Sequence, residues 1–147
     1  MPHEGEIQTI LREGRDMTVA TLLPDGAPHA TVVSYANDGL TLYFGCAPTS
    51  QKAANLARDD RVAVTVALPY RDWSEIRGLA IRGHARRLPV DEQESVRLLF
   101  AEKFSEIVQY VETDPDALAL FEIRASSVSV LDYRHGFGHV DHVPISS

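Results

Sequence analysis

The chain contains a single cysteine, Cys46, so no intramolecular disulfide is possible. No apolar run approaches the length of a membrane span. There is no basic block and the net charge is −7, which argues against nucleic acid or an anionic membrane surface as the main partner. The start, Met1-Pro2-His3-Glu4-Gly5-Glu6, lacks the basic and apolar regions of a signal peptide, and a cytoplasmic location is the expectation. Internal repeats, low-complexity tracts and linkers are missing. So are a Walker loop, a Ser-His-Asp pattern, a paired-carboxylate motif and zinc-ligand spacing.

What is present describes one globular domain over residues 1–147, with 44% hydrophobic and 24% charged residues and length enough for a core. Ile7, Ile10 and Leu11 have helical spacing and predict a helix over residues 3–13. Strands are predicted over 17–23, 29–35 and 40–45. Pro24-Asp25-Gly26 is a turn, and Ala36-Asn37-Asp38-Gly39 reads as a hairpin turn, so these strands form an antiparallel meander. A helix follows over 50–58 with Ala53, Leu56 and Ala57 on its apolar face. In the strand over 61–68, Val62, Val64 and Val66 alternate with smaller residues. A polar loop carries Trp73, and a long strand over 75–88 has Gly78 and Gly83 as bulge positions. Val96, Leu99, Phe100 and Phe104 mark a helical region, with a further turn over 107–111 and a separator at 113–116. The last strand, 118–133, bends near Ala125-Ser126-Ser127 and leads into a glycine- and histidine-rich tail over 134–147. Roughly six strands with hairpin-spaced turns imply a closed or partly closed antiparallel barrel, mainly β (α+β), with flanking helices.

The stretch Tyr43-Phe44-Gly45-Cys46-Ala47-Pro48-Thr49-Ser50-Gln51-Lys52 is the richest in chemistry. Thr49 and Ser50 cap the helix, and Lys52 falls in its first turn. Free N–H groups, hydroxyls and a lysine together suit a phosphate, and the same residues also read as an ordinary cap and a solvated lysine. Cys46 reads as a small, partly buried side chain rather than a reactive thiol. Trp73 reads either as cover for a ring system from a partner subunit or as a core or interface anchor. His135, His139, Asp141 and His142 are ligand-type residues, but Gly136 and Gly138 leave them no fixed face, and no metal is assigned. The alternative for the tail is that it packs over the barrel or a partner with Phe137 as anchor.

The order of Val19-Ala20-Thr21, Asp25-Gly26-Ala27-Pro28-His29, Leu42-Tyr43-Phe44, Ser50-Gln51-Lys52-Ala53-Ala54-Asn55-Leu56 and Arg82-Gly83-His84-Ala85 resembles the FMN-binding split-barrel family related to pyridoxamine 5′-phosphate oxidase. The resemblance implies a six-stranded antiparallel split β-barrel. It implies a homodimer with flavin sites at the interface and a small-molecule substrate. Thr31, Val32, Val33 and Ser34 would line the flavin, followed by Phe44 and Gly45. Ser50, Gln51 and Lys52 would hold the phosphate, and the partner would contribute from Trp73 to Gly78. The ending Leu131-Asp132-Tyr133-Arg134-His135-Gly136-Phe137-Gly138-His139 looks like that of a bacterial subgroup, and the tail would wall the substrate side of the flavin.

Several positions depart from the full oxidase. Thr31 and Gln51 stand where it has arginines, Ala36 where it has a lysine, and Gly78 where it has a glutamine. These losses argue against pyridoxamine phosphate oxidation as such, because charge-assisted bonds are the strong ones. Arg71, Arg77 or Arg82 of a partner could supply charge instead. The expectation is an FMN-dependent oxidoreductase with unknown catalytic residues, Tyr133 and His139 being candidates. The alternatives are a non-catalytic flavin- or haem-binding module and a deazaflavin-dependent reductase.

Overall fold

The computed structural model describes residues 1–106 and 117–145. The segments expected at 107–111 and 113–116 lie outside the described residues.

Helix α1 (Glu4–Glu13) presents Ile7, Ile10 and Leu11 to the interior, all fully buried, as their spacing requires. Strand β1 (Asp16–Leu22) pairs along its whole length with β2 (Pro28–Ser34). The turn between them has Gly26 at φ 86°, and Asp25 accepts from the Ala27 N–H at 2.9 Å. Next come β3 (Ala36–Asp38), β4 (Thr41–Cys46), α2 (Gln51–Arg58), β5 (Arg61–Ala67) and β6 (Arg77–Arg87). Helix α3 (Gln93–Lys103), β7 (Ala119–Asp132) and β8 (Val140–Pro144) complete the described elements.

Every strand pairing is antiparallel, and the order is β2-β1-β5-β6-β7-β4-β3, with β8 on β7. β2 and β3 stand at opposite ends of this order, yet only Tyr35 separates them in the chain. The sheet therefore has to curl until its two edges meet, which makes a barrel left unladdered at the β2/β3 seam. Tyr35 is fully buried at that seam. Its hydroxyl donates to the Leu11 carbonyl at 2.7 Å. Lys103 of α3 donates to the same carbonyl at 3.2 Å and stands 3.7 Å from the centroid of the Tyr35 ring. Burial, then repulsion from Arg15, pushes the Lys103 ammonium down to about 8.

The expected meander does not form. The third strand joins β3 and β7 rather than β2, with Leu42 opposite Ile123 and Phe44 opposite Phe121. Residues 36–38 are a strand, and the turn shrinks to Gly39-Leu40 with Gly39 at φ 59°. The sheet has eight strands rather than six because β3 and β8 are short additions. β7 is long enough to give one half of its edge to β4 and the other half to β8, which covers backbone groups that would otherwise be unpaired. The tail is thus partly a strand.

Neither expected glycine is itself the bulged residue; the bulge lies opposite Gly83, on β7, at the bend expected over Ala125-Ser126-Ser127. The β6/β7 register shifts between Arg82 and Gly83 and leaves Ser126 unpaired, its hydroxyl donating to the Arg82 carbonyl at 3.1 Å. Gly78 stays in register; a Cβ there would lie 2.6 Å from the Val66 carbonyl oxygen, so this glycine serves close approach of two backbones.

The barrel interior is filled by α1, by Met17 and Val19, by Val62, Val64 and Val66, and by a Phe44–Phe121 stack with centroids 5.3 Å apart. A second apolar cluster joins Val96 and Phe100 of α3 to Tyr43, Leu88, Phe104 and Leu120. Ala53 and Leu56 of α2 are buried as expected, whereas Ala57 is exposed and Asn55 takes the third inward place. No helix among the described residues is long and apolar enough to cross a membrane.

Candidate functional site

The N-terminus of α2 is built as the sequence pattern requires. Ser50 caps the helix in extended conformation, and its hydroxyl accepts from the Ala53 N–H at 3.2 Å. The first-turn N–H groups of Gln51 and Lys52 have no acceptor available within a helix, and the helix dipole adds positive charge at this end. Lys52 is half-buried beside them. An anion is what this end can take.

Asn55, fully buried, bolts α2 to the barrel. It accepts from the Gln51 side-chain amide at 2.8 Å and donates to the Thr21 hydroxyl at 2.9 Å. Arg58 reaches the Leu22 carbonyl. The Gln51 side chain is thereby turned along the helix, which leaves its backbone N–H as the group presented at the helix start. Nothing in the apolar spacing points to Asn55, because a buried amide inside a helical stripe reads as a solvent-facing polar residue.

β2 alternates. His29, Thr31 and Val33 are half-buried, and Ala30, Val32 and Ser34 are exposed, Val32 at 68%. The register sets His29 opposite Thr21 and Thr31 opposite Val19. Two polar atoms on the half-buried face, His29 Nδ1 and Thr31 Oγ1, are buried without a hydrogen-bond partner. Thr21, their neighbour on β1, is the residue that carries α2. Unpaired buried polar atoms are costly and rare, and a polar ligand at this face would satisfy them. Ser34 lies at the far end of the strand and donates to Asp16 at 2.8 Å. Phe44 contributes its side chain to the core, and a Cβ at Gly45 would lie 2.9 Å from Leu118 Cδ2. Position 44 can therefore reach a ligand only through its backbone.

Trp73 is 62% exposed and stacks on Phe137, itself 77% exposed, with centroids 5.9 Å apart; Tyr133 packs against Phe137 in a tilted arrangement at 5.4 Å. This platform leaves the sheet after Ala67 of β5, beyond the Thr65–Thr18 pair, at the Asp16 end of β1. α2 is attached at the opposite end, at Thr21 and Leu22. One protomer therefore does not bring Trp73 to Ser50, Gln51 and Lys52. Arg77, next to the platform, has a buried Nε without a partner, while Arg82 donates to Ser127 at 3.2 Å on the outward face.

That outward face carries mostly small side chains. Val32, Thr18, Thr65, Ala80, Ser129 and His142 follow one another across neighbouring strands. Its β5–β8 part forms an open groove of about 580 Å³.

The histidine-rich tail is divided by strand alternation. His142 pairs with Ser129 at 2.7 Å on the groove face, while His139 pairs with Asp141 at 2.9 Å. His135 lies 3.5 Å from buried Asp132, whose carboxyl is held far below the usual range mainly by Arg134. Glu6 and His3 of the N-terminal region join this cluster, which no spacing in the sequence signals. Cys46 is buried.

The comparisons agree with this architecture. The family profile "Pyridoxamine 5′-phosphate oxidase" matches residues 4–132. A search of curated proteins finds no match. A haem-binding protein from Mycobacterium smegmatis superposes with a TM-score of 0.82 at 22% identity, over 98% of this chain and 58% of that one. The chain thus spans little more than half the length of that relative. HutZ, the haem storage protein of Vibrio cholerae, gives 0.70 at 18% identity over 85% and 91% of the two chains. An F420 reductase gives 0.68 at 22% identity over 82% and 94%. At these identities the likeness is one of fold, a mostly antiparallel sheet curled into a half-barrel with flanking helices. With a profile match over residues 4–132 and this barrel, the chain belongs to the pyridoxamine 5′-phosphate oxidase family.

Proposed function

We propose that this chain is a homodimeric flavin-binding split barrel, with FMN as its cofactor, acting as an oxidoreductase on a small molecule. The observation that carries the reading is the pair of unpartnered buried atoms, His29 Nδ1 and Thr31 Oγ1, on the strand paired with β1, whose Thr21 anchors α2 through Asn55. A phosphate would take the N–H groups of Gln51 and Lys52, the Ser50 hydroxyl and the Lys52 ammonium. The ring and ribityl chain would run along Thr31, Val32, Val33 and Ser34, past the backbone of Phe44 and Gly45. Bound FMN supplies hydride or electron transfer at its isoalloxazine ring. The protein's part is to hold and orient it.

The dimer is supported by the separation within one protomer. Trp73 and Arg77 stand at the end of the barrel away from α2, so a second copy is needed to bring such a platform over the ring. The exposed small-sided face with Val32 in its row is the surface such a copy would cover. A deazaflavin would use the same phosphate grip, and a non-catalytic haem-binding module is the remaining alternative. Haem-binding, haem-storage and F420-reductase proteins share the fold.

Titration of the apo protein with FMN tests this. One FMN per chain is expected, with quenching of the emission of Trp73, the sole tryptophan. Lys52→Ala should weaken binding by about 1–3 kcal/mol, the range of a charge-assisted hydrogen bond. An unchanged dissociation constant would remove Lys52 from the phosphate site. Absence of FMN binding at high micromolar ligand would remove the flavin reading, and a Soret band on haem addition would replace it.

A further inference from the structure

The chain has two lysines, Lys52 and Lys103, and the second takes no part in the α2 site. Lys103 ends α3, and its half-buried side chain lies on Tyr35 at the β2/β3 seam. Its Nζ donates to the Leu11 carbonyl at 3.2 Å and stands 3.7 Å from the centroid of the Tyr35 ring. That carbonyl belongs to the last turn of α1, where the helix itself offers no donor. The Tyr35 hydroxyl already donates to it at 2.7 Å, so the lysine is its second donor and not its sole cap.

Among the described residues no carboxylate is hydrogen-bonded to Lys103, and Asp16 acts on it only at a distance. A second cation crowds it instead. Both stand over the Phe104 ring, Arg15 Cζ at 4.8 Å and Lys103 Nζ at 5.7 Å from its centroid. Glu106 accepts from Arg15 Nη2 at 2.6 Å, which ties that carboxylate to Arg15. Burial and then Arg15 favour the uncharged amine, while Asp16 and the carbonyl end of α1 favour the ammonium; the first pair prevails. Tyr35, itself raised by burial, stays neutral and adds no charge. A lysine that is desolvated and set beside another cation is an activated nucleophile.

We propose that Lys103 is a site of covalent acylation, with a small acyl phosphate as the donor. The amine lone pair attacks the acyl carbon and forms an amide N–C bond. The bond from that carbon to the phosphate oxygen breaks, its electron pair leaves on inorganic phosphate, and the amine proton passes to phosphate or solvent. No oxidant or reductant is involved. A small donor suits a half-buried amine, and an anionic one suits Arg15, whose side chain is 59% exposed and whose guanidinium can receive the departing phosphate. The amide product keeps an N–H for the Leu11 carbonyl and ends the repulsion with Arg15. The site does not rest on the flavin reading.

The test treats the full wild-type chain with acetyl phosphate and reads acetylation at Lys103 by peptide mass spectrometry, in the folded protein and in denaturant. At a pH of about 7.5 the folded chain should react at Lys103 at least about tenfold faster than the unfolded one. The rate in the folded chain should rise with a midpoint of about 8. In denaturant the midpoint should be that of an ordinary lysine, about 10.4. A rate no higher in the folded chain than in the unfolded one, or a folded-state midpoint as high as the unfolded one, would overturn the site. Arg15→Gln changes an exposed side chain and should slow Lys103 by about threefold or more at the same pH, because the ammonium is then less disfavoured. An unchanged rate in that variant would overturn the site as well.

Discussion

Phe44→Ala is expected to lower the free energy of unfolding by about 3–5 kcal/mol, the range for removing a fully buried phenylalanine. Phe44 has no exposed surface, stands opposite Phe121 across the β4/β7 ladder and stacks on it at 5.3 Å with an interplanar angle of 13°. The substitution leaves a cavity between the two strands and also forfeits the aromatic pair, worth about 0.5–1.5 kcal/mol beyond area burial. Domains of this kind are stable by only about 5–15 kcal/mol, so the variant stands near the threshold of folding. Urea denaturation followed by far-UV circular dichroism reads the effect, and a loss below about 1 kcal/mol would show that the core relaxes around the site. Phe44→Leu keeps most of the volume. It should fold and, under the proposed flavin reading, bind FMN as the wild type does, because the side chain faces the core.

Gly83→Ala is expected to destabilise by about 3 kcal/mol or more, at the upper end of overpacking effects. A Cβ at Gly83 would overlap the Arg124 carbonyl oxygen and stand 2.9 Å from the Arg124 carbonyl carbon and 3.2 Å from Ala125 Cα. These are backbone atoms of β7, so no side-chain rotation relieves the clash. Relief requires opening the β6/β7 ladder at its bulge, in the middle of the sheet order. Gly5→Ala provides the contrast: nothing lies within 4 Å, the residue is in α1, and a gain of about 0.5–1 kcal/mol is expected. Hydrogen exchange should show accelerated opening of β6 and β7 amides in Gly83→Ala. Equal stability of the two variants would refute the close-approach account of Gly83.

Parts of the molecule can be read from residues alone. The alternation of Val62, Val64 and Val66 gives β5 and its buried face, and the Ile7, Ile10 and Leu11 stripe gives α1. Ser50 ahead of Lys52 gives a capped helix start, because capping is a contact over three residues. Gly26 and Gly39 mark turns by a backbone conformation that other residues resist. Membership of the oxidase family is legible in the same way, because it rests on short motifs whose order along the chain is itself a property of the sequence.

Tertiary structure decided the rest. That residues 40–45 pair with β7 and not β2, that β3 and β8 exist, and that the β6/β7 bulge falls at Ser126 opposite Gly83 and not at Gly78 all follow from long-range pairing. The unpartnered His29 and Thr31 atoms, the buried Asn55 link and the meeting of Glu6 with Asp132 appear only once those strands are in register. The reason is physical. A strand's side-chain pattern states which face is buried, but ladder hydrogen bonds are made by backbone groups common to every residue. The neighbour each strand takes is therefore settled by which edges remain open when the whole sheet curls, and so is the set of polar groups that end up together.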